Sequence, residues 1–256
     1  MQSFPFLDWP GPLPFSHQGA HRADGDGPAE NTMGAFEAAV AMGYRYLETD
    51  VHATADGVLV AFHDDQLDDL TDRCGLIGDL PWAEVRQARV RHRDQLPLLE
   101  DILTTWPDVR VNIDAKHDAA VEPLIKLIRR TRVTERVCIG SFSDRRVARI
   151  RQELGPRLCT SMGPREVARL AAASYGVPAG GFSAACAQVP VKRGPVTVVN
   201  ERFLAAAHGR GLPVHVWTIN DADEMRRLLD MGVDGIMTDR PEVLKQVLEE
   251  RAAWVS

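Results

Sequence analysis

Cysteine is scarce in this 256-residue chain, and what there is stands apart: Cys74, Cys138, Cys159 and Cys186, with no C-x-x-C spacing. That pattern offers neither a disulfide framework nor a zinc motif, and it reads as free thiols in a reducing compartment. Positive charge is also in deficit. Lys and Arg number 30 against 36 Asp and Glu, a net charge of -6, which excludes a nucleic-acid partner held by a general basic field. No apolar run approaches the roughly 20 residues of a membrane span. Met1 to Pro14 has no basic start and no long apolar segment, so the expectation is no secretory signal and a cytoplasmic protein. No Gly-x-Gly-x-x-Gly follows a strand, which counts against a dinucleotide-binding sheet.

What is present is alternation. The apolar fraction of 45% and charged fraction of 26% are those of a soluble globular protein. Short apolar stretches alternate with helical ones nearly throughout: Pro14 to Gly19, Tyr44 to Val51, Val58 to His63, Val109 to Lys116, Arg136 to Phe142, Leu158 to Met162, Ala184 to Val189, Pro213 to Ile219 and Val233 to Thr238, with Val196 to Val199 a strand or a loop edge. Strands of this kind, covered by helices, belong to a parallel sheet. At this length the leading fold is a (β/α)8 barrel formed by a single domain, 1–256, with an open doubly wound sheet as runner-up. The stretch 64–97 reads as polar and irregular, an insertion after the third strand that serves as a lid or as a solvated excursion.

The chemistry gathers at strand ends. Glu48 and Asp50 stand two apart on one strand, so both carboxylates share a face. Two such carboxylates call for a cation, and oxygen-only ligands favour a hard ion such as Mg or Ca. His17, His63, Asp114, Lys116, Ser141, Trp217 to Asn220, Thr238 and Asp239 also fall at C-terminal strand ends, the rim where a barrel carries its active site. One spacing conflicts with this. Only six residues separate Val51 from Val58, too few for a parallel crossover. Spacing alone predicts a hairpin that would carry His63 away from Glu48.

The ordered set of motifs resembles the glycerophosphodiester phosphodiesterases. It runs His17-Gln18-Gly19, Glu30-Asn31-Thr32, Glu48-Thr49-Asp50-Val51, Asp56-Gly57, His63-Asp64, Asn112-Ile113-Asp114-x-Lys116, Val216-Trp217-Thr218-Ile219-Asn220, and Val233-Asp234-Gly235 through Thr238-Asp239-x-Pro241. The resemblance implies a TIM barrel and metal-dependent hydrolysis of small glycerophosphodiesters to glycerol 3-phosphate and an alcohol. It also implies His17 and His63 as the acid/base pair, Glu48, Asp50 and Asp114 as ligands of Mg or Ca, Lys116 as a phosphate contact and Trp217 as an apolar wall. Three departures matter. Gln18 stands where the family has Arg, which exchanges a bidentate ionic contact for a neutral amide. His21-Arg22 lies just downstream; Arg22 is the candidate to replace the missing guanidinium, and the pair is an alternative register for the motif. Asp114 stands where Glu is usual. Two further readings stay open: a lysophospholipase D-type enzyme, and a non-catalytic binder of a phosphorylated ligand.

Overall fold

The computed structural model describes residues 4–21 and 27–255. Arg22 lies outside them. In chain order the strands are β1 (Leu13–His17), β2 (Tyr46–Ala53), β3 (Leu59–Ala61), β4 (Arg89–Val90), β5 (Asp94–Gln95), β6 (Arg110–Ala115), β7 (Val137–Gly140), β8 (Cys159–Thr160), β9 (Ala187–Pro190), β10 (Lys192–Arg193), β11 (Val196–Thr197), β12 (Val214–Trp217) and β13 (Gly235–Thr238). The helices are α1 (Met33–Ala41), α2 (Trp82–Val85), α3 (Leu99–Thr105), α4 (Val121–Thr131), α5 (Asp144–Leu154), α6 (Pro164–Ala173), α7 (Glu201–His208), α8 (Ala222–Met231) and α9 (Pro241–Glu250).

Eight parallel strands run in the order β8-β7-β6-β2-β1-β13-β12-β9. Between β8 and β9 the ring closes through a parallel bridge, Ser161 to Cys186. Met162 N–H donates to the Cys186 carbonyl at 3.0 Å, and Ala185 N–H to the Thr160 carbonyl at 2.8 Å. The result is a TIM barrel. Each strand serves two environments by its two-residue period. On β2, Leu47, Val51 and Ala53 face the helices, joined there by Val111, Ile113 and Ala115 of β6. Tyr46 faces inward, packed with Phe15, Cys138 and Met237. The covering helices are amphipathic: α4 buries Val121, Leu124, Ile125 and Ile128 at helical spacing and ends on Arg129 and Arg130, which suit its C-terminal dipole. Ser143 caps α5 with its side chain. Asp144 is the first helical residue.

The stretch from Val58 to His63 is not a barrel strand. β3 pairs antiparallel with the overhanging end of β2, Val51 opposite Ala61 and Ala53 opposite Leu59, so the hairpin reading of the spacing is correct. Its expected consequence is not. β2 runs two residues beyond its last pairing with β6, Val51 opposite Ala115, and the hairpin folds back down. Phe62 N–H donates to the Asp50 carbonyl at 3.1 Å, so His63 returns to the level of the carboxylates. The excursion that follows lies between the β2–β3 hairpin and α3, after the third strand in the chain, which is the hairpin's return strand and not a member of the barrel ring. It holds its own apolar cluster, in which Leu67, Ile77, Val85 and Val90 pack on Val60 and Phe62 of the returning strand.

Candidate active site

A cavity of about 620 Å³ opens at the C-terminal ends of the strands, lined by His17, Glu48, Asp50, His63, Asp114, Lys116 and Trp217 among others. No residue of 64–97 lines it; the hairpin β10–β11 does, through Lys192, Arg193 and Gly194. Strand register brings the acids together: Asp50 pairs with Asp114 across β2 and β6, and His17 pairs with Glu48 across β1 and β2.

His17 is held from two sides. Its Nδ1 lies 2.6 Å from Asp239 Oδ1, and its Nε2 3.6 Å from Glu48 Oε2. Burial alone would lower its pKa, but the surrounding carboxylates, Glu48 foremost and then Asp239, raise it to about 9. Asn220 fixes Asp239 in turn, donating to Asp239 Oδ2 at 2.8 Å and accepting from the Asp239 amide at 2.9 Å. His21, the alternative motif histidine, lies 3.5 Å from Asp239 Oδ1 and outside the cavity wall. Gly19 makes the turn between the two. Its φ is +83, and a β-carbon there would come within 2.7 Å of Ala35, so only glycine fits.

Gln18 also has a left-handed backbone, φ 55. Its amide donates to Asp50 Oδ2 at 2.8 Å, so this side chain turns to a carboxylate. Asn31 reaches the same oxygen at 3.5 Å and is oriented by the Thr49 hydroxyl at 2.7 Å. Lys116 Nζ bridges Asp50 Oδ1 at 2.8 Å and Asp114 Oδ2 at 3.3 Å. Although burial opposes it, that ammonium, with the Gln18 amide, holds Asp50 below the usual carboxylate range. Burial and the neighbouring Asp50 charge push Glu48 up to about 8, and burial likewise raises Asp114. His63 stands apart from this network: its side chain is 46% exposed and its Nδ1 pairs with Asp64 Oδ1 at 2.7 Å. His52 Nε2 contacts the His63 carbonyl at 3.2 Å. Trp217 meets Phe142 edge-on, ring centres 5.8 Å apart.

The donor set suits a hard divalent cation. Glu48 Oε2 and Asp114 Oδ1 are buried with no hydrogen-bond partner, a costly state for carboxylate oxygens unless a cation meets them. The three acids are not drawn tightly together: among the described residues, the only trio of possible ligands whose donor atoms all lie within 4.8 Å is a different one, Cys138, Cys159 and Cys186. Lys116 sits between two of the acids, so a cation there competes with its ammonium for the same oxygens. Asp239, Asn220 and Asn31 received no role from the sequence. Asp239 and Asn220 were visible as polar strand-end residues, but His17, which Asp239 holds, lies 222 positions away.

The chain matches the model of the "Glycerophosphoryl diester phosphodiesterase family" over residues 21–243. It is 42% identical over 229 residues to a Mycobacterium tuberculosis protein named "Probable glycerophosphodiester phosphodiesterase 2", covering 88% of this chain and 87% of that protein. A glycerophosphodiester phosphodiesterase of Caldanaerobacter subterraneus is 28% identical, covering 88% of this chain and 94% of its own length. Among solved structures, a glycerophosphodiester phosphodiesterase of Agrobacterium tumefaciens superposes with a TM-score of 0.74 at 24% identity, covering 93% of this chain and 99% of that one. An Oleispira antarctica phosphodiesterase in complex with the product sn-glycerol-3-phosphate superposes with a TM-score of 0.74 at 21% identity, covering 93% and 97%. These two likenesses are of fold.

Proposed function

This chain belongs to the glycerophosphoryl diester phosphodiesterase family, and from that premise we propose that it hydrolyses small glycerophosphodiesters to glycerol 3-phosphate and an alcohol, by two-histidine acid/base catalysis beside a divalent cation. The observation that carries the reading is the convergence, at one cavity, of two imidazoles with three carboxylates of which two keep a buried unpartnered oxygen. Glu48, Asp50 and Asp114 would hold the cation, Mg or Ca. When bound, it offsets charge on the phosphoryl oxygens. Lys116 adds a second positive charge to the same end, and Trp217 with Phe142 walls the glycerol side.

The two histidines differ in a way that supports distinct roles for them. His17, kept protonated by Glu48 and Asp239, is suited to be the acid. His63, the more exposed of the two, serves as the base. In the first step His63 takes the proton of the glycerol 2-hydroxyl, whose oxygen attacks phosphorus. The bond from phosphorus to the headgroup oxygen breaks, and His17 donates its proton to that alkoxide. This leaves a cyclic phosphate. In the second step His17, now neutral, takes a proton from water, which opens the ring, and His63 returns its proton to the 2-oxygen. The reading takes 1–256 as one catalytic domain, with 64–97 bracing the His63 hairpin. Its cysteines carry free thiols, which supports a cytoplasmic location, and no helix among the described residues is long and apolar enough to cross a membrane.

A second reading draws on the cavity mouth. Phe142 is 67% exposed beside Trp217, and Val196, on the β10–β11 hairpin, is 60% exposed. Such a lip could carry an acyl chain, the lysophospholipase D reading. The test is glycerol 3-phosphate release from glycerophosphocholine and glycerophosphoethanolamine, with Mg, with Ca and with EDTA, for the wild type and His17→Ala. Metal-dependent release lost in His17→Ala supports the proposal. Release that survives His17→Ala but not His21→Ala would shift the motif. No release from either diester, with alcohol release from lysophosphatidylcholine, would favour the lipid reading. No release from any of these, with glycerol 3-phosphate still bound, would favour the non-catalytic binder.

A further inference from the structure

The cavity has two electrical ends. Its acids, Glu48, Asp50 and Asp114, all stand on β2 and β6. Its lysine and arginine residues are Lys116, which is tied to two of those acids, and Lys192 and Arg193 on the β10–β11 hairpin. That hairpin follows directly on the end of β9. In the closed ring β9 lies four places from β2 by either path, so the hairpin stands across the barrel mouth from Glu48 and Asp50.

The hairpin is held in place from its base. The Val191 carbonyl accepts from the N–H groups of Val198 and Val199 at 2.9 and 3.2 Å, and Val191 and Val199 are buried in one cluster with Phe203 of α7. Lys192 pairs with Thr197 and Arg193 with Val196. Gly194, at φ +58, opens the two-residue turn, where a left-handed glycine suits the twist of the strands. Lys192 and Arg193 are exposed, and among the described residues neither forms an ion pair. Glu224, at the start of α8, feels the Lys192 charge, but it gives both carboxylate oxygens to Arg227 at 2.7 Å.

We propose that Lys192 and Arg193 form a headgroup subsite, and that the chain prefers glycerophosphodiesters whose alcohol carries a second negative charge. The inference rests on the diesterase reading above. With phosphorus at the carboxylate end and glycerol against Trp217 and Phe142, the alcohol is the part left to extend towards the mouth. There Trp217 stands opposite Pro190, and the hairpin begins two residues further on. A headgroup anion at that point meets two unspent positive charges and no acid of the lining. The Arg193 guanidinium can grip both oxygens of one carboxylate, and Lys192 adds a point charge. A cationic headgroup such as choline meets the same pair as repulsion, so the hairpin discriminates in both directions.

The experiment compares two diesters that differ by one carboxylate, glycerophosphoserine and glycerophosphoethanolamine, in glycerol 3-phosphate release by the full chain with Mg. Exposed ion pairs are worth a few-fold each. The wild type should therefore favour the serine diester in kcat/KM by about tenfold at low salt, through KM, and the preference should shrink as salt screens the charges. Lys192→Ala with Arg193→Ala should abolish the preference. Lys192→Glu with Arg193→Glu should invert it, which a misfolded chain cannot do. Equal kcat/KM for the two diesters in the wild type would overturn the proposal. So would an equal loss on both in the alanine variant, which would put the two cations on the scissile phosphate. Absence of release from either diester would refute the diesterase reading instead. Calorimetric binding of the same pair to the wild type and the alanine variant then decides the inference: tighter binding of the serine diester, lost in the variant, supports it, and equal binding overturns it.

Discussion

His17 and His63 line one cavity, yet the barrel holds them in opposite ways. His17 ends an inner strand, is 22% exposed, and is gripped by Asp239 on one nitrogen and faced by Glu48 on the other. His63 lies two residues past a three-residue return strand outside the barrel ring, is 46% exposed, and pairs with its neighbour Asp64. Charge and burial at the first site raise the pKa of its imidazole; the second stands more open to solvent. An acid/base pair that must exchange roles benefits from such a difference, since two identical imidazoles would compete for one proton.

The largest effect should come from removing what both histidines depend on. Glu48→Gln, or EDTA on the wild type, should lower kcat by on the order of 10³-fold or more, with Mg or Ca restoring only the wild type. Equal activity in EDTA would remove the cation from the comparison. Next come the histidines themselves. His17→Ala and His63→Ala should each cost about 10²–10⁴-fold in kcat, and the double variant little more than the worse single one. Strictly additive losses would mean that the two do not act as a pair.

Asp239→Asn should separate the two sites. It keeps the hydrogen bond to His17 but removes a charge that raises its pKa. The alkaline limb of the kcat/KM profile should move to lower pH, with a loss of about tenfold. Asp64→Asn should change kcat only a few-fold, because solvent screens that exposed pair. Comparable losses in both would show the two histidines to be held alike.

The smallest effect concerns stability. His17 rises from an ordinary 6.5 to about 9, and Glu48 from 4.5 to about 8. Both bind a proton more tightly in the folded chain, so their stabilisation is whole below the unfolded values and fades as pH rises through the folded ones. In EDTA the melting temperature should therefore fall by several degrees between about pH 5 and 9. Divalent cation should raise it more at the alkaline end, where Glu48 no longer holds its proton. A flat profile would show that these charges are relaxed in solution.

Much of this was legible in the residues. Alternating strand and helix stretches gave the barrel, and the E-x-D pair on β2 gave the inward carboxylates, because a two-residue period cannot put Glu48 and Asp50 on different faces. The six-residue spacing after Val51 gave the hairpin. What it did not give was the overhang of β2, which brings His63 back to the rim. The polar look of 64–97 hid a small core, since its apolar residues are spread singly and meet only after the chain folds over Phe62.

By itself, then, the sequence determined the barrel, the family and the residue types of the site, all of which follow from local period and ordered motifs. Tertiary structure alone decided how each group is charged and held. Asp239 reaches His17 across 222 positions because β1 and β13 are neighbours in the ring. Lys116 divides Asp50 from Asp114 because β2 and β6 share a register. Three scattered cysteines meet because successive barrel strands point every second residue to a common interior. Electrostatics depends on distance through space, and a closed barrel sets those distances by strand order rather than by chain order.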